Sequence, residues 1–131
     1  MLKTVNPASW ERGVGFSHGV STEGESLFYI AGVIGADMTT GKLADGGVVP
    51  QFKQAMANIA ELLREAGSSP QQVIFLRIYC IDADDYRSHL RELSGPFKET
   101  FQGHYPAMTF LEIKGLFSPG ALLEIDGVAA R

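Results

Sequence analysis

The chain has a single cysteine, Cys80, set inside the apolar run VIFLRIYCI. Without a second thiol an intrachain disulfide is excluded, as is a zinc site built from several thiolates, and a reducing compartment is expected. Basic residues are scarce too: 11 Lys and Arg against 15 Asp and Glu leave a net charge of −4, which favours solubility and argues against a generic phosphate-binding surface. No stretch approaches the roughly 20 apolar residues that a membrane span needs, and the opening MLKTVNPASW has no apolar signal-peptide core. The expectation is a cytoplasmic protein with neither nucleic acid nor membrane as a partner. Gly-rich phosphate loops and nucleophile elbows are absent, and the three histidines (His18, His89, His104) stand at no metal-binding spacing, so no metal site is expected.

What is present points to one domain, residues 1–131, with an apolar fraction of 45% that is ordinary for a globular core. Residues 26–33, SLFYIAGV, lie between turn-forming segments and read as a strand, with VGFSHGV upstream as its hairpin partner. From Val49 onward Phe52, Ala55, Met56, Ile59, Leu62, Leu63 and Ala66 form one helical stripe, with Pro50 near its start and Gly67 just past its end. Val73 to Ile81 is apolar on both faces except at Arg77, which predicts a central strand covered on both sides. Asp84 and Asp85 are candidate caps of a second helix carrying Tyr86, Leu90, Leu93, Phe97 and Phe101, with a break or bend expected at Gly95-Pro96. Two last strands, AMTFLEIKG and ALLEIDGVA, are joined by LFSPG. This order predicts an α+β domain, a mixed sheet with two helices packed on one face. A second apolar face then needs a cover, for which another copy of the chain in a closed oligomer is the natural choice.

Polar residues inside strands are the candidates for chemistry. Glu124 and Asp126 alternate onto one face of the last strand; Met108, Phe110 and Glu112 share a face of the strand before; Arg77 is expected to join this set from the central strand. A carboxylate pair in an apolar sheet suits proton transfer or the holding of a water. Equally physical is a buried ion pair in which Arg77 neutralises Glu112 or Glu124. That structural pair ranks first, with Asp126 left open. Of the histidines only His18, beside Gly15 and Gly19, stands where a site is conceivable, against the plainer reading of an exposed strand residue.

The segments GFSHGV, LFYIAGVIGADMTTGKL, QFKQAMANIAELLREAGSSPQQVIFLRIYCID, YPAM and ALLEIDGVA resemble, in order and spacing, the RidA (YjgF, reactive intermediate deaminase) family over nearly the whole chain. The resemblance implies a chorismate-mutase-like fold and a homotrimer with a central barrel of sheets, helices outside, and ligand clefts between subunits. It also implies hydrolysis of reactive imines and enamines to ketoacids and ammonia, without a cofactor. In archetypal members an arginine in a Pro-Ala-Arg-Ser motif clamps the substrate carboxylate; that position is Met108 here, followed by Thr109 at the serine position. A thioether has no charge and little hydrogen-bonding capacity, so the clamp is lost. The water-orienting glutamate maps onto Asp126, the aromatic at the pocket mouth onto Phe16, a usual glutamine onto His18, and Ala31 stands where a serine is usual before Gly32. The resemblance thus implies Asp126 as the catalytic residue and Phe16, Gly32, Met108, Thr109, Glu124, Arg77 and His18 as substrate-binding candidates.

Three functions follow as alternatives. One is a divergent imine or enamine deaminase acting on a small metabolite, with 2-aminoacrylate activity weakened by Met108. Another is a non-catalytic module that binds a small ligand or a protein through the same clefts. The least favoured is an endoribonuclease or translation inhibitor, a label some family members carry, because the chain has no basic, aromatic-interleaved surface.

Overall fold

The computed structural model describes residues 1–6, 8–10, 15–17, 19–24 and 26–131. The first long helix, α1 (Val48–Glu65), buries the stripe Phe52, Ala55, Met56, Ile59 and Leu63. It stops as the sequence suggests. Gly67 turns left-handed at φ 74°, its N–H donating to the carbonyl of Arg64 (3.1 Å) while that of Ser68 reaches the carbonyl of Leu63 (2.8 Å). Those two bonds satisfy carbonyls that the helix itself leaves open.

Four strands form the main sheet: β3 (Leu27–Ile34), β4 (Val73–Cys80), β5 (Ala107–Glu112) and β6 (Leu123–Ala130), in the spatial order β3-β6-β4-β5. The sheet is mixed, with β5 parallel to β4 and β6 antiparallel to both of its neighbours. The last two strands of the chain are therefore not neighbours in space. Because β6 alternates Leu123, Ile125 and Ala129 inward with Glu124, Asp126 and Val128 outward, it fits the middle of a sheet that has one buried face.

Two short strands, β1 (Leu2–Val5) and β2 (Gly19–Thr22), pair with each other. This corrects the expected hairpin between VGFSHGV and the first long strand, of which residues 14 and 18 lie outside the described residues. The inner edge of β3 is taken by the eight-residue β6, which brings a far larger buried surface than the four-residue β2.

The second helical region also departs from expectation. It is two helices, α2 (Ala83–Ser88) and α3 (Leu90–Phe101), parted at His89 rather than at Gly95-Pro96. The cap of α2 is Asp82, whose carboxylate accepts the N–H of Asp85 at 3.0 Å; Asp84 and Asp85 lie in the first turn, where negative charge favours the helix dipole. Pro96 sits inside α3. A proline there costs about 3 kcal/mol, yet Leu93 and Phe101, on either side of it, are both buried, and each contributes roughly 2 to 3 kcal/mol. Packing therefore holds the helix through the proline.

All three helices cover one face of the sheet. Phe52, Met56, Ile59 and Leu63 of α1, Tyr86 of α2, and Leu93 and Phe101 of α3 share one apolar cluster with Val33, Leu76, Ile78 and Ile125 from the strands. The opposite face carries Tyr29, Phe75, Arg77 and Tyr79, and among the described residues no helix covers it. Among the described residues no helix is long and apolar enough to cross a membrane.

Candidate active site on the open sheet face

On the open face Arg77 stands directly opposite Asp126 in the β4–β6 ladder and beside Thr109 in the β4–β5 ladder. Facing residues in an antiparallel pair have close side chains, and the guanidinium uses this. Its Nε donates to Asp126 Oδ1 (2.9 Å) and its Nη2 to Oδ2 (2.8 Å). The Tyr79 hydroxyl also donates to Oδ2 at 3.3 Å, and the Arg77 guanidinium lies 5.8 Å from the centre of the Tyr79 ring. Hydrogen bonding to Asp126, then its charge, raises the Arg77 pKa further above an already high value, so this side chain stays cationic. The pairing of Arg77 with Glu112 or Glu124 expected from sequence is thereby corrected: register selects Asp126. Glu112 instead accepts the N–H of Ala83 at the head of α2, at 2.8 Å.

Glu124 lies two residues before Asp126 on the same face, opposite Tyr79 and next to β3. There the β3–β6 register shifts between Ile30 and Val33, a bulge that leaves Ala31 and Gly32 unpaired. Gly32 makes room for the carboxylate: a Cβ at this position would lie 2.5 Å from Glu124 Oε2. Among the described residues Glu124 forms no hydrogen bond or ion pair. The open face thus holds one carboxylate committed to a cation, Asp126, and one with its acceptor capacity unspent, Glu124.

Met108 is elsewhere. It registers with Leu76, whose side chain is buried under the helices, and it packs against the core; Phe110 registers with Ile78 and lies 4.5 Å, ring centre to ring centre, from Tyr86. Met108, Phe110 and Glu112 therefore face the helix layer, a second correction, because Arg77, Thr109, Glu124 and Asp126 face the other way. Gly32 and Met108 also occupy the two edge strands, three strand spacings or about 14 Å apart. Phe16 is half-buried at the head of β5, where Ser17 donates its N–H to the carbonyl of Pro106 (3.0 Å) and its hydroxyl to that of Tyr105 (2.6 Å). The structure thus brings Arg77, Thr109, Glu124, Asp126 and Gly32 to one face and leaves Phe16 and Met108 at the far edge. His18 lies outside the described residues.

Tyr79 is the site residue that sequence reasoning passed over. The signal was available, since it lies two positions from Arg77 in a strand and must share its face. His104, His89 and Cys80 serve the fold. His104 Nε2 bonds the carbonyl of Val73, His89 Nδ1 bonds the carbonyl of Asp85, and burial pushes the Cys80 thiol up, away from the reactive thiolate. A cavity of about 280 Å³ between α1 and β3 is lined by Val33, Met38, Asn58, Glu61, Leu62 and Glu65, none of them a candidate named from sequence. Among the described residues no group of three or more His, Cys, Asp or Glu side chains is disposed to hold a metal ion.

Comparison with known proteins extends this picture over the chain. The family described as endoribonuclease L-PSP matches residues 9–131. Proteins named 2-iminobutanoate/2-iminopropanoate deaminase are similar to it: that of Homo sapiens is 33% identical and that of Capra hircus 32% identical, each over 107 residues covering 82% of this chain and 74% of the relative. A crystal structure of YyfB, a Rid-family protein of unknown function from Yersinia pestis, superposes with a TM-score of 0.89 at 29% identity, covering 99% of this chain and 98% of that one.

Proposed function

Starting from a chain that belongs to the endoribonuclease L-PSP family, to which the Rid proteins also belong, we propose that it hydrolyses a small reactive imine, or an enamine through its imine tautomer, to a carbonyl compound and ammonia. The observation that carries this reading is the unspent carboxylate of Glu124, seated over Gly32 on the open face. The names of the deaminases it resembles agree with that chemistry.

The steps need only water and proton transfer. A water held by Glu124 attacks the imine carbon; the carboxylate takes one water proton and passes it to the imine nitrogen, giving a neutral carbinolamine. Glu124 then takes the hydroxyl proton and delivers it to the amino nitrogen, so that the C–N bond breaks as the C=O forms and ammonia leaves. General acid–base help of this kind is worth roughly 10² to 10⁴ in rate. The resemblance assigns the water to Asp126, but both oxygens of that carboxylate are engaged by Arg77 and Tyr79. We therefore give the water to Glu124 and a positioning role to Asp126.

Phe16 and Met108 complete the pocket from a second copy in this reading. They lie at the edge strand opposite that of Gly32 in one copy, and in this reading a neighbour's β5 edge brings them to Glu124, as in a homotrimer with clefts between subunits. The whole chain acts as one domain, in a reducing compartment such as the cytoplasm. Ammonia release from 2-iminobutanoate, read alongside light scattering for the trimer, tests the proposal: turnover by a trimer is expected, and an inert protein overturns it.

A non-catalytic ligand-binding module is the second reading, favoured by Met108, which offers no cation at the β5 edge. Thermal stabilisation by a metabolite without turnover is its signature. RNA cleavage ranks third, because a net charge of −4 gives phosphate binding no electrostatic support; a salt-dependent RNA mobility shift would reverse that ranking.

A further inference from the structure

We infer that Arg77 is the specificity-determining residue of this site, binding the carboxylate or another planar anionic group of the ligand with the free edge of its guanidinium. The inference rests on the reading of the open face as the reacting surface. A guanidinium has five N–H donors in a rigid fork. Asp126 occupies the side edge, Nε and one hydrogen of Nη2. The other three donors, both hydrogens of Nη1 and the second of Nη2, have no partner among the described residues, and one from each nitrogen forms the end edge. In the single chain the Arg77 side chain is 47% exposed and that of Asp126 21%, so the guanidinium is reachable on this face. Two carboxylates on adjacent edges of one guanidinium is ordinary arginine chemistry: the first fixes the plane, and the second is read bidentately.

The surroundings fit that use. Asp126 and Tyr79 hold the guanidinium from one side, and Thr109, exposed and in register with Arg77 on β5, places a hydroxyl donor on the other. Glu124 is two residues along β6 from Asp126, about 7 Å. That backbone spacing leaves room on this face for a small 2-imino acid, in which the carboxylate and the carbon under attack are directly bonded and one water separates that carbon from the base. The cation absent at Met108 is thus supplied from a different strand, on the face that bears the base. Because Asp126 cancels the charge of Arg77, recognition relies on directed hydrogen bonds more than on long-range attraction, and binding should depend only weakly on salt.

The test uses the full chain and 2-oxobutanoate, the unreactive product of 2-iminobutanoate hydrolysis, with 2-butanone as the analogue lacking the carboxylate. Calorimetry should find the acid bound and the ketone at least tenfold weaker. Arg77→Met should weaken the acid by roughly tenfold or more, as loss of a charged bidentate contact does, and leave the ketone unchanged. Arg77→Lys keeps a charge for Asp126 and so protects the fold; it too should bind the acid less well, having lost the fork. Glu124→Gln should still bind the acid while losing turnover, so failure of the hydrolytic reading and failure of this one are told apart. Equal binding of the acid by wild type and both Arg77 variants, or no binding by wild type, overturns the inference.

Discussion

Gly32→Ala isolates the role of Glu124 without touching the carboxylate itself. The added methyl would stand 2.5 Å from Glu124 Oε2, 2.8 Å from Cδ and 3.1 Å from Cγ. Ordinary van der Waals separation is then reached only if the carboxylate retreats by about 1 Å. Since what moves is the end of a flexible side chain on a half-open face, stability should change by less than about 1 kcal/mol, with the usual gain of replacing a strand glycine offsetting part of the clash. A catalytic group displaced by about 1 Å loses on the order of 100-fold in rate. Steady-state hydrolysis of 2-iminobutanoate beside thermal unfolding should therefore show kcat down by about two orders of magnitude with Tm almost unmoved. The reasoning is refuted if the variant turns over normally. It is refuted equally if activity falls only in proportion to lost folded protein.

Gly127→Ala should do the reverse, because its Cβ would sit 2.3 Å from the backbone oxygen of Phe75, which cannot swing aside; a loss of about 3 kcal/mol in chemical denaturation is expected. Asn58→Ala removes an amide that donates to the carbonyls of Ile34 (3.1 Å) and Ala36 (2.8 Å), and should cost roughly 2 to 3 kcal/mol in the same assay. Burial pushes the Tyr86 phenol up from 10.0 to about 12, so the unfolded chain releases this proton first as pH rises. Stability is then unaffected by this group below pH 10 and falls by roughly 2 to 3 kcal/mol between pH 10 and 12. Denaturation across that window should lose this component in Tyr86→Phe.

Local structure was legible in the chain and long-range register was not. The phase of Phe52, Ala55, Met56, Ile59 and Leu63 and the stop at Gly67 follow from periodicity and glycine geometry, and the strand around Arg77 from its apolar run. The place of β6 between β3 and β4 depends on pairing across about 50 residues of sequence to β4 and about 90 to 100 to β3, for which alternation within one strand carries no information. The same gap explains the misassigned faces. Alternation correctly put Met108 with Glu112 and Glu124 with Asp126, but only the register Arg77↔Thr109 and Arg77↔Asp126 decides that the two pairs look in opposite directions. Pro96 misled for a different reason: a local helix breaker was outweighed by burial of Leu93 and Phe101, which no local rule measures. Glu124 gained its standing from Gly32, a contact invisible until β3 and β6 are side by side.

The most direct measurement is the rate of 2-iminobutanoate hydrolysis by wild type and by Glu124→Gln, both verified as folded and in the same oligomeric state. The account predicts turnover by the wild type that drops at least about 100-fold in the variant. Wild-type rates in Glu124→Gln would contradict it.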